Sequence, residues 1–149
     1  MSNKAKFLAL IPFLLLLIYS CTSPSDTVLV TRVIDGDTII IEGGHRVRYI
    51  GIDTPEIYPR MEAYGMEALL ANREMVEGKM VRLERDVSET DKYGRLLRHV
   101  FLGEVFVNAE LVQEGLAHAN AYPLDTEYQT YLEKLEAEAK EAGRGVWAK

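Results

Sequence analysis

Three short runs rich in β-branched residues, separated by tight turns, constrain the fold of this 149-residue chain most strongly. Residues 28–34 and 38–41 flank the dipeptide Asp35-Gly36. Gly43-Gly44 forms a second turn, and it is followed by a third run over 45–52, in which apolar and charged side chains alternate. β-Branched residues favour extended backbone, and Asp-Gly is typical of a hairpin turn. The pattern therefore predicts three consecutive antiparallel strands.

The rest of the chain predicts two more strands, over 79–85 and 95–101, and about three helices. One helix is expected between the third and fourth strands, and the others after the fifth. This set of predicted elements belongs to the α+β class, mainly β. It favours an OB-fold five-stranded β-barrel packed with about three helices. A sandwich or an open sheet has a compatible number of strands. The OB-fold uses one face and its loops to bind oligonucleotides and oligosaccharides.

Capping residues set the expected ends of these helices. Asn108 is the expected N-cap of the second helix. Thr126 and Gln129 have the spacing of a capping box at the start of the third. Glycines suited to a left-handed C-terminal conformation follow each helix: Gly78, Gly115 and Gly143.

Residues 1–20 have the pattern of a signal peptide. Lys4 and Lys6 give a positive start, and residues 7–19 are apolar apart from Pro12. This run is shorter than the about 20 residues that a membrane-spanning helix needs. We therefore expect a removable export signal, the alternative being a short uncleaved anchor.

The segment Ile18-Tyr19-Ser20-Cys21 resembles the lipobox of bacterial lipoproteins. Cys21 is the only cysteine in the chain, so no internal disulfide can form. A free thiol is a liability in an oxidising compartment, and lipidation would remove it. We expect Cys21 to carry the lipid and residues 21–27 to form a tether, which would hold a folded domain of residues 28–149 at a cell membrane or envelope.

The charge of the chain restricts how it could bind nucleic acid. Its net charge is −6, and it becomes more negative if Lys4 and Lys6 are removed. An acidic protein repels a polyanion through its overall field. A nucleic-acid site would therefore have to be a local basic patch.

Two acidic tetrapeptides lie at the ends of predicted strands, over 35–38 and 53–56. In a meander, the start of the second strand and the end of the third lie at the same end of the sheet, which would bring Asp37, Asp53 and Glu56 together. Carboxylates without a neighbouring His or Cys favour calcium or magnesium over zinc. Taken alone, each tetrapeptide is also common in turns that bind no metal.

Two arginines have positions suited to phosphate binding. Arg48 stands five residues before Asp53, and Arg95 follows Lys92-Tyr93-Gly94. The planar guanidinium group forms paired, charge-assisted hydrogen bonds with phosphate. Lys92 and Tyr93 add a positive charge and a stacking face suited to single-stranded nucleic acid. A lone arginine on a strand is more often simply a solvated side chain.

Four segments together resemble the staphylococcal nuclease family in their order and spacing, and the resemblance extends from about Val30 to Trp147. The resemblance implies an OB-type barrel and a monomer that hydrolyses DNA and RNA with calcium, preferring single strands. It makes residues 28–149 a nuclease domain. The segments are residues 33–38 (VIDGDT), 47–56 (VRYIGIDTPE), 90–95 (TDKYGR) and 107–117 (VNAELVQEGLA).

The resemblance also implies the metal site. Asp37 and Asp53 would be carboxylate ligands of calcium, and Thr54 would provide its backbone carbonyl. Asp35 matches an acid close to the metal. Glu56 would be the general base that takes a proton from the attacking water.

Substrate contacts follow from the same resemblance. Arg48 and Arg95 would hold the phosphate and stabilise the charge of the transition state. Lys92 and Tyr93 match positions that contact the substrate. The family often has two tyrosines where this chain has Ala121 and Pro123, and we expect Tyr122 to take over part of substrate binding.

Two other functions have to be weighed against a nuclease. Related domains keep the barrel but lose the catalytic groups, and serve as non-catalytic nucleic-acid-binding or interaction modules. An OB-type oligosaccharide binder at the cell envelope is the second alternative. The presence of both arginines beside Asp37, Asp53 and Glu56 favours the enzyme.

Overall fold

The computed structural model describes residues 27–149. The predicted signal peptide, Cys21 and the tether lie outside the described residues, except for Thr27. Thr27, the last residue of the predicted tether, is the first described residue and lies in strand β1.

Eight strands and three α-helices form the described part of the chain. Two short 3-10 helices, Glu42–Gly44 and Gly145–Trp147, accompany them. Between residues 27 and 149, none of the helices combines the length and the apolar character that crossing a membrane requires. The strands are β1 Thr27–Val33, β2 Thr38–Ile41, β3 Arg46–Tyr49, β4 Ile52–Asp53, β5 Met80–Glu84, β6 Leu96–Leu102, β7 Val105–Phe106 and β8 His118–Ala119, and the helices are α1 Gly65–Val76, α2 Val107–Gln113 and α3 Gln129–Ala142.

Five of these strands close into a barrel. β1 pairs with β2 on one side and with β5 on the other, β2 pairs with β3, and β5 pairs with β6, all antiparallel. The parallel pairing of β3 with β6, which sets Val47 opposite Leu96, completes the ring. The predicted OB-type five-stranded barrel with three helices is confirmed.

The core is built from β-branched and aliphatic side chains that point inward from the strands. Val30, Ile39 and Val47 are fully buried, as is Leu132 of α3. Complete burial of such a side chain contributes about 1.5–3 kcal/mol to stability. The core therefore holds the barrel rigidly beneath the loops that join its strands.

The third strand is shorter than predicted. The expected strand over 45–52 is divided into β3 and β4, because the chain turns at Ile50 and Gly51. Gly51 has φ +77°, and a Cβ there would lie 2.7 Å from Cδ1 of Leu132. Only glycine suits both conditions. The turn frees β4 to pair with β8.

Two of the predicted helix starts are wrong. Asn108 does not cap α2 but lies buried inside it, where its amide accepts from the Val100 backbone N at 3.0 Å and donates to the Ile50 carbonyl at 2.9 Å. The capping box at Thr126 does not form, because α3 begins at Gln129, whose side chain bonds to Glu133.

The helix ends agree with the glycine signals. Gly143, at φ +61°, is the C-terminal cap of α3. Gly78 and Gly115 also have positive φ, just beyond the ends of α1 and α2. Left-handed backbone at these positions lets the chain leave each helix without a Cβ clash.

Candidate active site

The predicted carboxylates meet at one end of the barrel, where the β1–β2 turn faces the segment after β4. Asp37 is 6% exposed. Its Oδ2 accepts hydrogen bonds from the backbone N of Thr54 at 2.9 Å and from the Thr54 hydroxyl at 3.1 Å. Asp37 and Thr54 therefore connect the two acidic tetrapeptides directly.

Gly36 makes this contact possible. It does not have a positive φ, so a hairpin dipeptide does not explain it. A Cβ on Gly36 would lie 2.6 Å from the Thr54 hydroxyl oxygen, closer than atoms can approach. The glycine provides space for Thr54 to reach Asp37.

Arg48 joins Asp37 to Asp53. Its Nε lies 3.2 Å from Asp37 Oδ1, and its Nη2 lies 2.8 Å from Asp53 Oδ1. Nη1 donates to the carbonyls of Tyr49 and Ile52 at 2.6 and 2.8 Å. The guanidinium group is therefore fixed in orientation, and one N–H of Nη2 remains beyond these contacts for an incoming oxygen.

Glu56 lies on the loop that follows, and its backbone is fixed by Glu62. The Glu56 N donates to Glu62 Oε2 at 2.9 Å, and its carbonyl accepts from the Glu62 N at 2.8 Å. Gly65 completes this arrangement, since a Cβ there would lie 2.7 Å from the Glu56 carbonyl oxygen. The exposed carboxylate of Glu56 thus stands on a well-defined backbone.

Three acids at this end, Asp35, Asp53 and Glu56, have raised pKa values. Burial, followed by repulsion from Asp37, raises the pKa of Asp35 to about 6. Partial desolvation and the charges of Asp37 and Asp53 raise the pKa of Glu56. Desolvation also raises the pKa of Asp53, although the guanidinium of Arg48 opposes the rise. The site holds more negative charge than Arg48 alone neutralises.

The oxygen-rich donor set fits a hard divalent cation. Asp37, Asp53 and the Thr54 carbonyl are all oxygen donors, and the side chain of Asp53 is 52% exposed. A cation here would relieve the repulsion from Asp37 that adds to desolvation in raising the pKa values of Asp35, Asp53 and Glu56. Calcium suits such a set, because it accepts several oxygen ligands in irregular geometry, including water.

Arg95 approaches the same end of the barrel from β6. Its Nη1 lies 3.5 Å from the Thr38 hydroxyl, beside Asp37. Asp91 orients Arg95, accepting from its Nε at 2.7 Å and from its backbone N at 3.0 Å. Burial alone would raise the pKa of Asp91, but these hydrogen bonds outweigh it and lower the pKa.

Lys92 and Tyr93 lie on the outer surface of the loop that carries Arg95. Tyr93 is 72% exposed, and both cations stand over its ring, Lys92 Nζ at 5.0 Å and Arg95 Cζ at 5.6 Å from the centroid. This is a local basic patch with an aromatic face. A local patch of this kind is what we expected of any nucleic-acid site on a chain with a net negative charge.

Tyr122 lies in a turn after β8, paired with Asp125. The segment before Tyr122 starts beside Asp53, which pairs with His118. It then runs antiparallel to β4, and the Asn120 N donates to the Gly51 carbonyl. The described contact of Tyr122 is its backbone pairing with Asp125, and not a contact with Asp37, Asp53 or Glu56. Its role in substrate binding stays a prediction.

Several residues that shape the site were not predicted from the sequence. Glu62 and Asp91 orient Glu56 and Arg95, and Tyr49 donates to Asn72 at 2.8 Å beneath the β1–β2 turn. Asn72 in turn donates to the Asp35 carbonyl at 3.1 Å. The only available signal was for Asp91, which lies four residues before Arg95 in the quoted segment; the other residues resemble ordinary surface acids and core side chains.

Comparison with known proteins identifies related chains. The sequence model of the family described as "Staphylococcal nuclease homologue" matches residues 46–149. A thermonuclease of Staphylococcus intermedius is 41% identical over 128 residues, which cover 82% of this chain and 76% of that protein. A thermonuclease of Staphylococcus hyicus is 39% identical with the same coverage. An endonuclease of Bacillus subtilis, YncB, is 38% identical over 82% of this chain and 62% of its own length.

Proposed function

The chain belongs to the staphylococcal nuclease family, and on this premise we propose that it is a calcium-dependent nuclease that hydrolyses phosphodiester bonds in DNA and RNA. The observation that carries the proposal is the position of Arg48, fixed between Asp37 and Asp53 at 3.2 and 2.8 Å. Glu56 and Arg95 border the same end of the barrel. A scaffold without catalytic function would not need these five groups around one point.

Glu56 acts as the general base. The oxygen of a water molecule forms a new bond to phosphorus and gives its proton to Glu56. The ester bond breaks, and the leaving sugar oxygen takes a proton from solvent water. A raised pKa makes an ionised carboxylate a stronger proton acceptor. The two backbone hydrogen bonds to Glu62 keep Glu56 in position.

Arg48 and Arg95 stabilise the phosphate as its negative charge increases. Asp37 and Asp53 orient Arg48, and Asp91 orients Arg95, so neither guanidinium group has to be ordered during the reaction. Fixed donors aimed at developing charge are usually the largest single contribution to catalysis. Calcium, when bound by Asp37, Asp53 and the Thr54 carbonyl, would add positive charge at the same phosphate.

Lys92 and Tyr93 are proposed to bind the strand beside the cleaved bond. An exposed aromatic ring stacks on any base, and the adjacent charge attracts the backbone, which favours single-stranded substrates. Tyr122 is the proposed further contact. We propose that the protein works as a monomer.

A nuclease assay with and without calcium tests the proposal. The protein should degrade denatured DNA with calcium, lose activity in chelator, and show little turnover with magnesium, which demands a tight octahedral shell. A preparation that binds single-stranded DNA but never cleaves it would support the non-catalytic alternative. Activity that persists undiminished in chelator would exclude the calcium site.

Export and anchoring form a separate part of the proposal. The lipobox-like Ile18-Tyr19-Ser20-Cys21 supports cleavage before Cys21 and lipidation of its thiol, which would hold the domain at a cell membrane or envelope. Intact-mass measurement of the membrane fraction should find an acylated protein that begins at Cys21. Cys21→Ser should abolish that species, whereas Ser23→Ala, a matched change in the tether, should leave it. An unmodified Cys21 in the membrane fraction would refute the anchor.

A further inference from the structure

A second cluster of metal-binding side chains lies on a different part of the barrel. It consists of Asp86, which follows β5, His99 in β6, and Glu127, which precedes α3. One candidate ligand atom from each residue lies within 4.8 Å of the other two. The candidate active site is built instead from the β1–β2 turn, β3, β4 and the segment before β6.

His99 is the unusual member of this cluster. Its side chain is 1% exposed, and within residues 27–149 neither ring nitrogen has a hydrogen-bond partner. The nearest acidic oxygen, Asp86 Oδ2, lies 3.9 Å from Nε2, too far for a hydrogen bond. Burial of an unpaired polar group is costly, and a metal ion that accepts the lone pair of one ring nitrogen would offset part of that cost.

The imidazole of His99 is in the protonation state that binds a metal ion. Burial lowers the pKa of His99 to about 4, against the opposing influence of the charges of Asp86 and Asp125. The ring is therefore neutral near pH 7, and one nitrogen has a free lone pair, the form in which histidine binds metals.

Two of the three ligands, Asp86 and His99, are also held in place before any ion arrives. The Glu127 backbone N donates to Asp86 Oδ2 at 2.9 Å, which ties the segment before α3 to the end of β5. Phe106 and Tyr128 pack edge-on against the His99 ring, with centroid separations of 5.7 and 4.7 Å. An ordered set of ligands binds an ion with less loss of conformational freedom.

We propose that Asp86, His99 and Glu127 form a second metal site, which binds a transition-metal ion and prefers zinc to calcium. Zinc binds imidazole nitrogen and carboxylate oxygen, and three protein ligands leave a fourth position for water. Calcium favours shells made only of oxygen. Bound zinc would join β5, β6 and the start of α3, and would act on stability rather than on hydrolysis. The site does not depend on the proposed nuclease function.

Calorimetric titration of the full chain with zinc chloride, in saturating calcium, tests the site. Glu127→Gln removes an exposed ligand oxygen and leaves the backbone hydrogen bond to Asp86 intact. His99→Leu removes the buried ligand at similar volume. Glu104→Gln, an exposed acid in the β6–β7 turn, is the matched control. All variants retain Cys21, so zinc bound by that thiol is common to them.

We expect zinc affinity to fall at least about tenfold in Glu127→Gln and further in His99→Leu, with no change in the control. Zinc should raise the melting temperature of the unsubstituted protein and not that of His99→Leu. The proposal is overturned if the unsubstituted protein binds no zinc, if calcium displaces the zinc, or if folded Glu127→Gln binds zinc as tightly as the control.

Discussion

Two regions of this barrel bury polar groups in opposite ways. Around Asp37, the carboxylate pairs with the Arg48 guanidinium through one oxygen and accepts from the Thr54 hydroxyl through the other. Around His99, both ring nitrogens lack partners within residues 27–149, as does the buried Oδ2 of Asp125. The first region is a network of internal hydrogen bonds and ion pairs, whereas the second leaves buried donors and acceptors without partners among the described residues.

The difference separates charged side chains that hold one another in position from a buried histidine that has no hydrogen bond within residues 27–149. A satisfied network holds charged side chains in one geometry, which is what transition-state stabilisation requires. An unsatisfied cluster reduces the stability of the fold until an ion or a water completes it. Substitutions in the Asp37 region should therefore change turnover and stability, and substitutions in the His99 region should change zinc binding and leave the stability of the metal-free protein nearly unchanged.

Removal of the general base should have the largest effect. Glu56→Gln should lower turnover on denatured DNA by about 10²–10⁴, because the amide cannot accept the proton from water. Calcium affinity, measured by calorimetry, should remain close to that of the unsubstituted protein, since Glu56 is not among the proposed ligands. Glu67→Gln, on the exposed face of α1, is the control. Unchanged turnover in Glu56→Gln would remove Glu56 from the mechanism.

Replacement of either arginine by lysine should lower turnover by roughly a hundredfold, equivalent to about 3 kcal/mol. Lysine keeps the charge but loses the planar fork. Arg48→Lys should also lower the free energy of unfolding, because the Arg48 side chain is 12% exposed and contacts two carboxylates and two carbonyls.

Arg95→Lys should lower the free energy of unfolding less, since the side chain of Arg95 is 27% exposed and its ion pair with Asp91 lies in a loop. Urea unfolding beside steady-state kinetics separates the two arginines. Equal losses of stability in both variants would contradict the picture of one central and one peripheral arginine.

The sequence predicted those features that depend on neighbouring residues. The strand over 38–41 and the glycine at the end of α3 follow from local backbone preference. Meander topology predicted that Asp37, Asp53 and Glu56 would lie at the same end of the sheet, because a short meander leaves few arrangements of three strands.

Features that depend on distant residues were not predicted. The strand break at Gly51 is needed because Leu132, far along the chain, occupies the space that a side chain would need. Asn108 has the local signature of a helix cap, but partners in β6 and before β4 hold its amide instead. Glu62 looks like any surface acid until the fold places it against the Glu56 backbone.

A smaller effect is expected beneath the catalytic end. Tyr49 is 1% exposed and donates to Asn72 Oδ1 at 2.8 Å. Tyr49→Phe keeps the ring and leaves that buried acceptor without a partner, which should cost about 1–3 kcal/mol of unfolding free energy. Tyr131→Phe, on the exposed side of α3, should change it by no more than about 0.5 kcal/mol. Urea denaturation measures both, and equal values would show that the Asn72 bond contributes nothing.

The smallest effect should come from the region without internal partners. In chelator, His99→Leu loses two edge-on aromatic contacts, worth about 0.5–1.5 kcal/mol each. It also removes the unpaired ring nitrogens, whose burial costs a similar amount, so unfolding free energy should change by less than about 1 kcal/mol. Asn72→Leu provides the contrast: it also replaces a fully buried polar side chain, but it breaks the bonds to Tyr49 and to the Asp35 carbonyl and should cost several times more. If His99→Leu cost as much as Asn72→Leu, the imidazole would have an ordered partner such as water even without metal, and the contrast between the two regions would fail.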